Sequence, residues 1–239
     1  MYNDGGIFEG HFTSGVPSGQ GRHVFPSLEV YEGSYENGLA NGPGKYYHAN
    51  GGYYEGNWKD NKQEGYGSEV WASGEKYSGK YKNGLKHGNG IYIWKDGSRY
   101  EGTFVNEERE GKGVYRGANN EKYTGDWKGG MEHGEGKIEY GDGKVYIGEF
   151  RNGKKNGKGK MEVLGEGIWE GMWVEDREVG IFNLIVDGEI VKSVNWDDIN
   201  GAKENSIYEQ DRVSNSVISV AKWNQEPSLI QIENNNSDS

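Results

Sequence analysis

Aromatic and polar residues alternate along this chain in short bursts that recur at a fixed interval. The bursts read FEGHF from Phe8, YEGSY from Tyr31, YEGNW from Tyr54, YSGKY from Tyr77, YEGTF from Tyr100, YTGDW from Tyr123, YIGEF from Tyr146 and WEGMW from Trp169. Successive starts lie 23 residues apart with no insertion, which makes eight units. Position 1 of the unit is aromatic throughout, position 3 is Gly and position 5 is aromatic again. Side chains two apart share a face of an extended chain, so each burst predicts a strand with one face reading ring, Gly, ring. A Gly between two rings removes the side chain that would hold a neighbouring ring away.

The remainder of each unit supplies turns and a second strand. Asn37-Gly38, Asn83-Gly84 and Asn152-Gly153 are strong signals for a two-residue hairpin turn. Position 12 is Gly in all eight units, and position 14 is Gly in seven, with Phe182 in the last. Second strands start near position 14, as in GKYYH from Gly44 and GIYIW from Gly90. They run into further turns at Asn50-Gly51, Asp96-Gly97 and Asp142-Gly143. Each unit is predicted to be a β-hairpin joined tightly to the next, giving one antiparallel meander with no helical periodicity over residues 8–182. At about 4.8 Å per strand, eight hairpins span roughly 75 Å. Asp4-Gly5 falls in the same register as the joining turns, so residues 2–7 read as the end of an unfinished unit, and an open edge there calls for a partner or a packed tail. Asn61, Glu107 and Asp176 stand where position 8 is usually Gly, a departure expected to matter little. Gly117 and Asn120 are expected to weaken the fifth unit and to place a bend or softer edge there.

The motif resembles the MORN repeat, whose consensus is approximately YxGxWxxGxxxGxG, and the resemblance covers residues 8–182. It implies an all-β, elongated, twisted single-layer sheet, a half-pipe with an aromatic-lined groove. It also implies a non-enzymatic scaffold or adaptor of the kind found in cilia, flagella and other cytoskeletal structures. The runner-up is a peripheral phosphoinositide- or membrane-binding module, or a non-catalytic regulatory partner of a phosphoinositide kinase, since residues 183–239 are too few for a catalytic domain.

Composition changes at residue 183. Residues 183–239 hold two Gly against forty before them, and ten acids against four bases. The chain is therefore read as a repeat array over 1–182 and a C-terminal cap and acidic tail over 183–239. Within the second part, LIV-DG-EIV (Leu184–Val191) predicts one more hairpin, and Val213, Val217 and Val220, with Ile207, Ala221 and Trp223 nearby, predict a helix somewhere in Lys203–Trp223. That helix is expected either to pack on the last repeat or to engage the groove or a partner.

The formal charge of −11 disfavours diffuse binding to nucleic acid or an anionic membrane. The absence of Cys removes disulfides, thiolate zinc sites and a cysteine nucleophile. Neither a secretory leader nor an apolar run of membrane-spanning length is read in the chain, so a cytoplasmic location is expected. His87 and His133 share position 11 but lie four strands, about 19 Å, apart, too far to ligate one metal in a regular sheet. The glycine pairs lack a following GK[ST] and Gly15–Gly19 lacks a strand-to-helix setting, so no catalytic, metal or cofactor site is assigned. Two binding features remain. One is the ring row Tyr31, Tyr35, Tyr54, Trp58, Tyr77, Tyr81, Tyr100, Phe104, Tyr123 and Trp127, most of it needed for structure, whose solvent-facing remainder would form a partner groove. Units about 9.6 Å apart nearly match helix anchors at i and i+7, about 10.5 Å, so an amphipathic helix is the candidate partner. The other is Arg151, Lys154, Lys155, Lys158 and Lys160, a candidate anionic-lipid patch.

Overall fold

The computed structural model describes residues 5–197 and the pair Ile207–Tyr208. Eighteen strands follow in chain order: β1 (Ile7–Thr13), β2 (Val16–Val24), β3 (Val30–Glu36), β4 (Leu39–Tyr47), β5 (Tyr53–Lys59), β6 (Lys62–Val70), β7 (Lys76–Lys82), β8 (Leu85–Ile93) and β9 (Arg99–Val105) in the first half. The second half holds β10 (Glu108–Arg116), β11 (Lys122–Lys128), β12 (Met131–Glu139), β13 (Val145–Arg151), β14 (Lys154–Val163), β15 (Gly167–Val174), β16 (Arg177–Val186), β17 (Glu189–Asn195) and β18 (Ile207–Tyr208). Each strand pairs antiparallel with its neighbours in the chain, so the described residues form one open sheet in meander order. The Leu184–Val191 hairpin is present, turning at Asp187-Gly188 between β16 and β17. β16 runs through residue 182 without a break. Of the expected helix, Ile207 instead lies in β18 and the remainder is outside the described residues, as are residues 1–4.

The turns within units explain the register. Both central residues have positive φ in each, from Ser14-Gly15 (51° and 80°) to Glu175-Asp176 (51° and 69°), the mirror-image turn whose twist suits a hairpin. Non-Gly residues tolerate this conformation at position 8 because their side chains are used. Asn61 Oδ1 accepts from the Ala40 N–H at 2.7 Å, Glu107 Oε1 from Lys86 N–H at 2.6 Å, and Asp176 Oδ1 from Lys155 N–H at 2.8 Å. Each departure thus ties a turn to the hairpin before it. The fifth unit shows no bend in its pairing: β10 and β11 remain in register from Gly111↔Trp127 to Arg116↔Lys122. Asn120 takes φ 64°, on the same side as Gly97 at 85° and Gly143 at 88°, and so supplies the turn expected to be weakened.

The core lies within the single layer. One glycine from each of β1 to β15 stands opposite the next, Gly10↔Gly21↔Gly33↔Gly44 and onward to Gly159↔Gly171, forming a continuous groove in one face. The position-1 ring of each of units one to seven lies down in it. A Cβ on Gly67 would meet the Tyr54 hydroxyl at 2.3 Å, and one on Gly56 would meet it at 2.5 Å. The hydroxyl then donates to the position-4 carbonyl: Tyr31 to Ser34 (3.1 Å), Tyr54 to Asn57 (3.0 Å), Tyr77 to Lys80 (2.9 Å), Tyr100 to Thr103 (3.1 Å), Tyr123 to Asp126 (2.8 Å) and Tyr146 to Glu149 (3.2 Å). Position-5 rings stand edge-on between successive position-1 rings. Tyr81 sits 5.1 Å from Tyr54 and 5.2 Å from Tyr77, and the arrangement repeats from Tyr31 to Trp173. Such edge-to-face pairs contribute about 0.5–1.5 kcal/mol each beyond the area they bury. At unit eight the glycine row stops at Phe182, whose own ring covers Gly171 and packs 4.6 Å from Trp173. Trp169 is released from the tucked position and donates to Glu166 at 2.9 Å.

Candidate functional site

Counting through the pairing shows which other residues share the ring face. Position 1 pairs with position 16, as in Tyr77↔Tyr92 and Tyr100↔Tyr115, so position 16 projects to the same side. These residues and those of position 18, beside the joining turns, form a second ring row above the first. Phe25, Tyr46, Trp71, Tyr92, Trp94, Tyr115 and Tyr140 are all half-buried. Trp71 lies 5.5 Å from Tyr92, Tyr92 4.8 Å from Trp94, and Trp94 5.6 Å from Tyr115. Gly117 leaves a gap in the row between Trp94 and Tyr140.

Nine of the ten rings read from the sequence as groove residues are buried: Tyr31, Tyr35, Tyr54, Tyr77, Tyr81, Tyr100, Phe104, Tyr123 and Trp127, at 8% exposure or less. The tenth, Trp58, is half-buried and donates to the Gly44 carbonyl at 3.1 Å. Their surface is spent on the glycine groove and on one another, and what faces outward on this side is the second row. Sequence reasoning passed over it because positions 16 and 18 vary (Tyr46, Glu69, Tyr92, Tyr115, Ile138 and Met161 at the first). The signal was the strand register, which fixes their face whatever their identity.

Charged side chains at position 10 lie among the rings. Lys86 Nζ stands 5.0 Å from the Trp71 ring centre and pairs with Glu107 at 2.5 Å. The Arg109 guanidinium lies 4.4 Å from Trp127 and 5.7 Å from Trp94 and Tyr100, and donates to the Gly130 carbonyl. Burial lowers its pKa, and the field of Glu132 opposes that shift. Lys155 Nζ is 5.3 Å from Tyr146. These are cation–π distances. An open hollow of about 570 Å³ lies against Glu75, Trp94, Arg109, Tyr115 and Glu132. Burial pushes the Tyr92 and Tyr140 phenols up to about 12, with Glu75 and Glu121 adding to the respective shifts. Near the N-terminal end Glu69 takes a position-16 place in this row. It is buried, accepts from the Tyr81 hydroxyl at 2.9 Å and lies 3.9 Å from His48 Nε2.

The five bases of the candidate lipid patch do not share a surface. Lys155 lies on the ring face, whereas Lys158 and Lys160 project from the other. Lys154 is held by Glu175 at 2.6 Å and Lys160 by Glu170 at 2.5 Å, while Arg151 is exposed at the turn. His87 and His133 are half-buried near the turns, two hairpins apart.

An open, single-layer array whose core is a ring laid on glycines, unit after unit, is a repeat architecture of a defined kind. The MORN repeat family model matches residues 8–28, 31–53, 54–76, 77–99, 100–122, 123–145 and 146–162, and the chain belongs to this family. The matched span ends before unit eight, where Trp169 and Phe182 depart from the pattern. No curated protein matches the chain. Among solved structures, it is similar to the TCP domain of Drosophila melanogaster SAS-4 (dCPAP) in complex with a proline-rich motif of Ana2 (dSTIL). The identity is 14%, covering 64% of this chain and 83% of that one, with a TM-score of 0.41. It is also similar to the TCP10 domain of Danio rerio CPAP in complex with a STIL peptide, at 11% identity over 80% of this chain and 99% of that one, with a TM-score of 0.31.

Proposed function

We propose that the protein is a non-catalytic scaffold that seats partner proteins along its ring face, in a ciliary, flagellar or other cytoskeletal assembly. The observation that carries this reading is the second ring row. Trp71, Tyr92, Trp94 and Tyr115 are half-buried, in mutual contact and outside the glycine groove, so part of their surface is left for another molecule. Aromatic surface of this kind, with Arg and Lys among it, is the composition that dominates protein interfaces. An amphipathic helix along the array is the occupant we favour, its apolar anchors meeting one unit after another. The dispersal of Arg151, Lys154, Lys155, Lys158 and Lys160 over two faces, with two of them ion-paired, supports ranking a protein partner above an anionic membrane. The array over 1–182 is the binding body in this reading, and 183–239 its cap and tail.

Affinity capture with mass spectrometry tests it. Trp71→Ser with Trp94→Ser should remove specific partners. Both rings pack on the buried row, so the double variant should also melt lower, and capture is run at a temperature where circular dichroism shows its sheet intact. Replacing Lys154, Lys155, Lys158 and Lys160 by Gln should leave the same partners in place. An unchanged set of partners in the double-Trp variant would move the site off this face.

A further inference from the structure

The face opposite the rings changes character along the array. Across β11 and β12 it carries Lys122, Asp126, Glu135 and Glu139, all charged. The equivalent residues on β15 and β16 are Ile168, Met172, Ile181 and Ile185, with Asn183 and the Glu170–Lys160 ion pair between them on the same face. Ile168 pairs with Ile185, which pairs in turn with Ile190, while Met172 pairs with Val179. Met172 is 43% exposed, Ile181 62% and Ile190 54%. None of them contributes to the core, which at this end is closed on the ring side by Trp173, Phe182, Leu184 and Val194. Single exposed apolar residues are ordinary, but apolar residues at four places that are charged two units earlier, on both sides of the polar row Glu170, Asn183 and Ser193, mark a contact surface.

The course of the chain says what covers it. β18 pairs with β17 through Ser193↔Tyr208 and Val194↔Ile207, so the chain returns to the sheet at this same end before residues 209–239 follow. That stretch spaces Val213, Val217, Val220 and Trp223 by four, three and three residues, the period of one helix stripe. As a helix the stripe would span about 15 Å, against about 10 Å from β15 to β17. A second copy of the chain is the weaker occupant, because half a dozen side chains fall well short of the roughly 20–30 residues a side of a stable interface. A tethered segment has no such requirement, since a short tether holds it at an effective concentration in the millimolar range.

We propose that residues 209–239 fold back over the ring-free face at the C-terminal end, seating the Val213–Trp223 stripe on Met172, Ile181, Ile185 and Ile190. The ring face is then left open for partners.

Limited trypsin digestion of the full chain tests this, because the segment carries Arg212 and Lys222. Met172→Asp with Ile181→Glu gives unit eight the kind of residues unit six has, and adds no cleavage site. Cleavage after Arg212 and Lys222 should become at least tenfold faster while the melting curve of the array stays the same. Val217→Asp should accelerate it equally, and all three substitutions together should add nothing further. Equal rates in wild type and Val217→Asp would overturn the proposal, as would fully multiplicative effects of the two sets. A wild-type dimer that Met172→Asp with Ile181→Glu converts to monomer in sedimentation would assign the patch to a second copy and overturn it as well.

Discussion

The smallest structural decision in this molecule is the missing side chain at position 3. A Cβ on Gly79 would lie 2.5 Å from the Tyr77 hydroxyl and 2.6 Å from the Gly90 Cα. A ring can swing aside, but a paired strand cannot, so Gly79→Ala is expected to cost about 3 kcal/mol, at the upper end of overpacking penalties. Gly97→Ala has nothing within 4 Å and a φ of 85°, and should cost only the left-handed penalty of about 1–2 kcal/mol. Urea unfolding of the two variants checks the order, and equal losses would mean that the ring is not packed on the groove. The same burial predicts an alkaline limit. It pushes the Tyr31 phenol up to about 12 and raises those of Tyr54, Tyr77, Tyr100, Tyr123 and Tyr146. An unfolded phenol ionises near 10. Below that value the rings are neutral in both states and their contribution is intact. As pH rises from about 10 through 12 the unfolded chain loses its protons first, so stability falls. Phenolate absorbance should therefore rise together with loss of the sheet's circular dichroism, and a rise at the free-phenol value with the sheet intact would contradict the burial.

At the scale of the strand and hairpin, turn chemistry decides. Glu107 adopts φ 77°, a conformation that costs a non-Gly residue about 1–2 kcal/mol. It accepts from the Lys86 backbone N–H and pairs with the Lys86 ammonium. Bonds to a charged group are worth about 1.5–3 kcal/mol, so the bonds win, and Glu107→Gly should destabilise by about 1 kcal/mol although it relieves the backbone. A stabilised Glu107→Gly variant in thermal melts would reverse that ranking. The hairpins, their register and the all-β meander were legible in the sequence because Asn-Gly turns and alternation are local signals. The compensation at Asn61, Glu107 and Asp176 was not, since each side chain answers a backbone N–H about one unit away in sequence. Asn120 was misjudged for a simpler reason: Asn tolerates the left-handed conformation that its neighbours reach with Gly. The candidate site was half legible. The ring face was identified, but its outward row required knowing that position-1 rings lie down in the sheet, and no period in the sequence reports a tilt.

Among the described residues the array has no second layer; backbone pairing joins each strand only to its neighbours, and ring contacts such as Tyr54–Tyr81 reach one strand further, into the adjoining unit. A compact chain of this length would have a radius of gyration near 18 Å. Seventeen strands at about 4.8 Å make a body near 75 Å long, and small-angle scattering of the monomer should give at least about 22 Å. A compact value would rule out the open sheet. Units that touch only their neighbours also fold as a one-dimensional series, so deleting one 23-residue unit should leave the others joined by the same ring-on-glycine contact.

The orientation of the strands has a mechanical consequence. Because the strands run across the long axis, the backbone hydrogen bonds lie along it, and β1 and β17 stand near its two ends. Tension applied between the ends loads those bonds one ladder at a time, as in opening a zipper, with no set of ladders sharing the force. The molecule should yield hairpin by hairpin, each 23-residue unit releasing roughly 70 Å of extended chain. Its resistance would be that of a single ladder however many units it contains. Optical-trap extension with handles at residues 5 and 197 would read this as a staircase of equal steps at low force. A single high-force rupture would mean that the ladders bear the load together. Under tension such an array behaves as a tether that pays out in fixed increments, and it recloses from whichever hairpins remain.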